Sequence, residues 1–172
     1  MKPLVLCLGN ELLGDDGAGM LVARKLKATQ GHGSDIIETS LSGLSLIEYF
    51  IGYKQAIIVD AIHTGNHPPG TVIELYPDQL RSVIAPSPHY AGLPEMLELA
   101  KSLDVEFPED IAIFAIEVAD PYTIGGAIDS RVEKGIDEAV IKIKARLKRW
   151  QSLTFRTAAR KKIDGNPGTV AR

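Results

Sequence analysis

Residues 3–8 (Pro-Leu-Val-Leu-Cys-Leu) are apolar without a break and are closed by Gly9, a pattern that suits a strand buried on both faces of a parallel sheet. It reads as a first, central strand. Ala18, Val22 and Leu26 then recur at i, i+4 and i+8 while Arg24 and Lys27 turn away, which predicts an amphipathic helix begun by Asp15 or Asp16. Residues 35–38 form a short second strand, and Leu44, Ile47 and Ile51 at helical spacing predict a second helix running to about Gly52. Residues 56–60 (Ala-Ile-Ile-Val-Asp) repeat the opening pattern, an apolar strand that delivers a carboxylate at its C-terminal end. A loop with two prolines and two glycines, 63–70, separates it from a further strand at 71–76, a candidate for the sheet edge. Residues 77–92 are irregular. Leu93, Met96, Leu97, Ala100 and Leu103 mark a third helix, 110–118 a further strand, and 119–129 a long loop containing Gly and Pro. Val132, Ile136, Ala139, Val140, Ile143 and Leu147 stripe a last helix, with Ser130 as its N-cap and its end near Trp150.

Strands alternating with helices predict an α/β protein: a three-layer α/β/α sandwich with a mostly parallel sheet of about five strands. The expected organisation is one domain over residues 1–150, followed by a basic, poorly ordered tail over 151–172, where periodicity is lost. A chain of 172 residues buries roughly 70% of its unfolded surface as one domain. Its 45% hydrophobic and 24% charged residues argue against disorder.

The net charge of −3 conceals a split: residues 142–172 hold ten Lys/Arg against one Asp, hence +9, and the remaining nine Lys/Arg against twenty-one Asp/Glu leave −12 for residues 1–141. A basic tail could touch nucleic acid or an acidic protein. The simpler reading is a solvated helix end followed by a frayed terminus, so no nucleic-acid partner is expected. The single Cys7 permits no internal disulfide, no apolar stretch approaches the ~20 residues needed to span a bilayer, and no signal-peptide pattern precedes the first strand. A cytoplasmic protein without membrane insertion is expected, with its oligomeric state left open.

Chemistry concentrates in residues 9–19 (Gly-Asn-Glu-Leu-Leu-Gly-Asp-Asp-Gly-Ala-Gly), a glycine-rich turn between the first strand and the first helix. Such turns normally receive phosphate on free helix N–H groups. This one carries three carboxylates. Asp16 after the first strand, Asp60 at the end of the third and His89 before the third helix would meet on one edge of the sheet. Two carboxylates and an imidazole suit a borderline divalent metal, with a coordination position left open. Taken singly, each has a plainer reading. An Asp at a helix start is commonly an N-cap contributing ~1 kcal/mol, an Asp at a strand end commonly opens a turn, and a Pro-flanked His is commonly a surface residue. The joint arrangement makes the case. His32, His63 and His67 lie in loops, and His63, three residues past Asp60, is the nearest competitor to His89.

The rival reading is a dinucleotide fold, with Glu38 nineteen residues after Gly19 as a ribose-binding acid. The glycines at 9, 14, 17 and 19 do not give the G-x-G-x-x-G spacing. One like-charge pair at ~4 Å and a dielectric of ~20 costs about 4 kcal/mol, against the ~0.3–1 kcal/mol a helix dipole offers. Electrostatics favours a cation.

The motifs Gly9-Asn10-x-Leu12-Leu13-Gly14-Asp15-Asp16-Gly17-x-Gly19, Val59-Asp60-Ala61 and Ser87-Pro88-His89-x-x-Gly92-Leu93 resemble, in order over residues 1 to about 148, those of the [NiFe] hydrogenase maturation endopeptidases. The resemblance implies an α/β/α fold and a soluble hydrolase that removes a C-terminal peptide from the hydrogenase large-subunit precursor. It implies that Asp16, Asp60 and His89 are the metal-binding and catalytic residues. It also implies that nickel, carried by the precursor, is the recognition mark, with no organic cofactor; a non-enzymatic nickel chaperone would use the same ligands. Asp15, Asp16 or Asp60 could act as general base. The chain departs from the family at Glu38-Thr39-Ser40-Leu41-Ser42-Gly43, where the family usually has Asp-Gly-Gly-Thr-x-Gly.

Overall fold

The computed structural model describes residues 2–29, 33–77, 79, 93–102 and 106–164. Among them, β1 (Leu4–Leu8), α1 (Ala18–Thr29), β2 (Asp35–Thr39), α2 (Ile47–Phe50), β3 (Gln55–Ile62), β4 (Val72–Leu75), α3 (Leu93–Ser102), β5 (Asp110–Glu117) and α4 (Ser130–Asp164) follow one another. The strands form one five-stranded sheet in the order β2-β1-β3-β5-β4. All neighbours are parallel except β4, which runs antiparallel to β5 at one edge. The sequence placed β1 at the centre; that position belongs to β3, with β1 beside it.

Strand alternation divides the core in two. Val5, Cys7, Ile57, Val59, Ala112 and Phe114 meet the stripes of α1 and α4 on one face. Leu4, Leu6, Leu8, Ala56, Ile58, Ile62, Ile113 and Ala115 face the other way, onto Leu46 and Phe50. There a 3-10 turn, Gly43–Leu46, leads into α2, and α3 packs against that turn. Helices on both faces of a largely parallel sheet make the expected three-layer α/β/α sandwich.

The second helix is shorter than its apolar spacing suggested, because Gly43–Leu46 closes as a 3-10 turn and regular helix spans only Ile47–Phe50. The last helix is longer. It runs through Trp150 to Asp164, so residues 151–164 are not the irregular tail expected. No Gly or Pro interrupts 151–164, and Ala, Arg, Lys, Leu and Gln favour helix by propensity even without an amphipathic stripe. The rest of that tail, 165–172, lies outside the described residues, as do Leu103 and most of the irregular 77–92 stretch. Ser130 is the first helical residue rather than the cap. Asp129 caps α4, its Oδ1 accepting from the Arg131 N–H at 2.8 Å.

The antiparallel edge is covered by α4. Lys142 Nζ donates to the Val72 carbonyl at 3.0 Å, and Arg146 pairs with Glu74. The Arg146 guanidinium lies 5.7 Å from the centroids of both Tyr76 and Trp150. Trp150 is buried and donates to Asp110 Oδ2 at 2.6 Å, fixing the helix to the start of β5. Among the described residues, no helix is long and apolar enough to cross a membrane.

At the opposite end of the sheet, α1 approaches β1 closely. A Cβ on Gly19 would lie 2.0 Å from the Leu8 carbonyl oxygen. Gly19→Ala is therefore expected to destabilise the protein by about 3 kcal/mol. Gly52→Ala, where φ is +86° but space is open, is expected to cost only about 1–2 kcal/mol. Urea unfolding midpoints check the contrast.

Candidate functional site

Parallel strands deliver their C-terminal ends, and the loops that follow, to one edge of the sheet. Here β1, β3 and β5 lie side by side, so residues 9–17, 63–71 and 118–129 gather there. The first of these closes as a 3-10 turn, Gly14–Gly17, that rests against β3.

The two adjacent acids of that turn do different work. Asp15, 2% exposed, accepts the Ala119 and Asp120 N–H groups on Oδ2, both at 3.0 Å, and the Asp129 N–H on Oδ1 at 2.8 Å. Both of its oxygens are occupied in holding the loop after β5. Its own N–H donates to the Asp120 carbonyl at 2.9 Å, and Gly125 N–H donates to the Leu12 carbonyl at 2.9 Å. Leu13 and Ile124 complete an antiparallel bridge. Because β3 lies between β1 and β5, the joined loops cross over the end of β3. Asp16, 5% exposed, accepts the Asn10 N–H on Oδ2 at 2.8 Å. Neither acid begins α1, which starts at Ala18.

The glycines of the turn serve internal packing. Gly14 has φ +35°, and a Cβ there would lie 2.5 Å from the Asp120 carbonyl oxygen; one on Gly9, at φ +151°, would lie 2.3 Å from that of Asp16. This backbone is folded onto itself and its neighbouring loop.

Asp60 lies inside β3 rather than at its end. The strand continues through Ala61 and Ile62, which pair with Ile116 and Glu117, while Asp60 pairs with Ala115. Asp60 is fully buried, and its Oδ1 accepts the Ala61 N–H at 2.9 Å. By alternation it shares a face with Ile58 and Ile62, the side of α2 and α3. His63 falls on the other parity. It is exposed, its Nδ1 engages the Val118 carbonyl at 2.9 Å and its ring meets Tyr122 edge-on. That contact directs it to the loop after β5. His67 is exposed; His89 and His32 lie outside the described residues. Asp16 and Asp60 thus come from a turn and a strand that touch. Among the described residues no group of three His, Cys, Asp or Glu side chains is placed to hold a metal.

Sequence reasoning passed over Glu117. Buried at the end of β5, it accepts the Thr64 and Gly65 N–H groups on Oε1, both at 2.8 Å, and the Thr64 hydroxyl on Oε2 at 2.7 Å, holding the loop after β3. The signal was present: a carboxylate closing an apolar strand, as at Asp60. After β2, Thr39 fixes the segment where the chain departs from the resembled family, its Oγ1 accepting the Leu41 N–H at 3.1 Å. Glu38 pairs with Lys27, which engages the acid the dinucleotide reading required. Cys7 is buried, and burial pushes its thiol up, away from reactivity. Asp120 is held below the ordinary carboxylate range by hydrogen bonds from the Thr123 side chain and from the Tyr122 and Thr123 N–H groups.

A profile of the hydrogenase maturation protease family, HycI, matches residues 20–146. The match contains Asp60 and His89 and begins just after the acidic turn. The chain is 28% identical over 147 residues to the hydrogenase 2 maturation protease of Escherichia coli K12, covering 81% of this chain and 89% of that one. Its fold matches the solved hydrogenase maturating endopeptidase HybD of E. coli with a TM-score of 0.74 at 26% identity, over 87% and 93% of the two chains. It matches the [NiFe] hydrogenase maturation protease HybD of Thermococcus kodakarensis with a TM-score of 0.67 at 29% identity, over 86% and 99%.

Two outcomes follow from the geometry. Asp15→Asn, which sets an NH2 group against backbone N–H donors, is expected to lower stability by about 3 kcal/mol in urea unfolding. Asp129, bonded by the Arg131 side chain and N–H, is held down to about 2. The stability from that depressed carboxyl is complete above the unfolded value of ~3.9 and is lost as pH falls through about 2. In an NMR titration, Arg131→Ala should move the Asp129 midpoint up toward the ordinary value.

Proposed function

The chain belongs to the hydrogenase maturation protease family, whose members are endopeptidases, and we propose that it removes the C-terminal extension of a [NiFe] hydrogenase large-subunit precursor once nickel has been inserted. The observation that carries this reading is the pair of buried carboxylates, Asp16 and Asp60, on touching elements at the C-terminal edge of the sheet. We assign His89 as their third partner. In support, α3 begins four residues after His89 and lies on the side of the sheet that Asp60 faces.

Nickel here is part of the substrate. Two carboxylate oxygens and an imidazole offer a borderline divalent ion three ligands, and the precursor's own side chains supply the others. Holding the ion fixes the precursor's position, and with it the scissile peptide bond. A bound divalent ion also polarises a carbonyl placed against it. Hydrolysis needs a base to take a proton from water. Asp15 is excluded from that task because three N–H groups occupy its carboxylate. Of the three acids considered, Asp16 and Asp60 remain candidates for it. Their shielded positions strengthen their electrostatic effect on a charged partner, since little water screens it.

Asp16→Asn, Asp60→Asn and His89→Ala should each slow shortening of the nickel-loaded precursor by roughly two orders of magnitude or more, because a misplaced metal misplaces the reacting bond. Circular dichroism should show all three folded. A gel resolving precursor from product reads the outcome, and normal shortening by all three variants would remove the assignment. Nickel binding by the isolated protein with no change in precursor length would indicate a metal carrier instead.

A further inference from the structure

Asp16 and Asp60 belong to different segments, and what sets one against the other is the register between the turn after β1 and strand β3. The β1–β3 ladder pairs Leu4–Cys7 with Ala56–Val59 and stops one residue short of Asp60. Two bonds of Asp16, the Asn10 N–H on its Oδ2 and its own N–H on the Leu13 carbonyl, both at 2.8 Å, lie within the turn. They hold Asp16 to the turn and leave open what holds the turn. The β3–β5 ladder, by contrast, runs through the site: Asp60 lies opposite Ala115, pairing continues to Ile62 and Glu117, and the Val118 N–H then donates to the Ile62 carbonyl at 2.8 Å. The loop after β5 therefore starts in register with Asp60. Asp15, next to Asp16, is bonded to that loop at both carboxylate oxygens by the Ala119, Asp120 and Asp129 N–H groups. The turn also packs on β3, but directed hydrogen bonds fix a position more sharply than apolar contact does.

We propose that Asp15 is a positioning residue of the cleavage reaction: by tying the Asp16 turn to the loop after β5, its carboxylate sets the placement of Asp16 relative to Asp60. The inference rests on the reading that these two carboxylates act on a hydrogenase precursor. A misplacement of about 1 Å at a reacting centre can cost about a hundredfold in rate. When the tie is weakened Asp16 is still present, so the loss falls on kcat more than on KM. The Asn10 N–H, bonded to Asp16 Oδ2, is an independent reporter. Its amide resonance shifts when that carboxylate moves, with or without substrate.

The test is steady-state shortening of the nickel-loaded large-subunit precursor by the full-length chain and two variants that disturb the tie from opposite sides, with the Asn10 amide followed by NMR. Asp15→Asn weakens the tie at the carboxylate. Gly126→Ala leaves the carboxylate intact and presses from the loop after β5: its Cβ would lie 3.3 Å from the Gly14 Cα, tight enough to displace a neighbour by a few tenths of an ångström. It is the milder change and carries the test if Asp15→Asn does not fold. Asp15→Asn should lower kcat at least about tenfold and Gly126→Ala about threefold, with KM within about threefold and the Asn10 amide shifted in both. The deficits should persist in sucrose, which raises the folded fraction. Wild-type kcat in the folded variants, an unmoved Asn10 amide, a rise in KM alone, or a rate restored by sucrose would each overturn the positioning role and leave the proposed activity standing. A wild-type chain that shortens no nickel-loaded precursor would remove the activity and the role of Asp15 in it together.

Discussion

Three backbone N–H groups, those of Ala119, Asp120 and Asp129, converge on the carboxylate of Asp15 across more than a hundred residues of sequence. Burying a carboxylate is costly unless its lone pairs are met, and charge-assisted hydrogen bonds from fixed N–H groups meet them here. The loops after β1 and β5 are thereby joined over β3. That junction sets the position of the 3-10 turn and hence of Asp16, and leads into the Asp129 cap of α4. Glu117 repeats the device for the loop after β3. The functional edge is thus built on buried carboxylates that hold backbone, with Asp16 and Asp60 beside them as the pair assigned to chemistry.

Much of the scaffold was legible because short uninterrupted apolar runs at 3–8, 56–59 and 111–116, too short for typical helices, suit strands buried on both faces. The i, i+3, i+4 stripes between them equally imply helices. The same logic singled out Asp16 and Asp60, acids placed where such strands hand over to loops. Local pattern did not distinguish Asp15 from Asp16, because Asp15 owes its role to partners more than a hundred positions away. It did not show that Ala61 and Ile62 prolong β3 past Asp60, since two apolar residues before a His read equally as loop. The extension of α4 to Asp164 was missed because amphipathic periodicity was the criterion, whereas residues 151–164 are helical by propensity and by the absence of a breaker.

The glycines of the acidic turn acquire a different meaning from the one their resemblance to a phosphate loop suggested. Gly9, Gly14 and Gly19 admit the chain's own carbonyl groups, those of Asp16, Asp120 and Leu8, to within distances that a Cβ would forbid. They make the turn compact enough to be held by a single carboxylate. A turn so closed has little room for a small phosphate ligand. Such a closed turn is compatible with the proposal that a large partner brings the group that is recognised.

The central proposal is that this chain reads a metal that its substrate carries. It is tested most directly by giving the wild-type protein the same large-subunit precursor in nickel-loaded and nickel-free form and following chain length on a gel. Shortening confined to the nickel-loaded precursor is the predicted result. Equal shortening of the nickel-free precursor would contradict it.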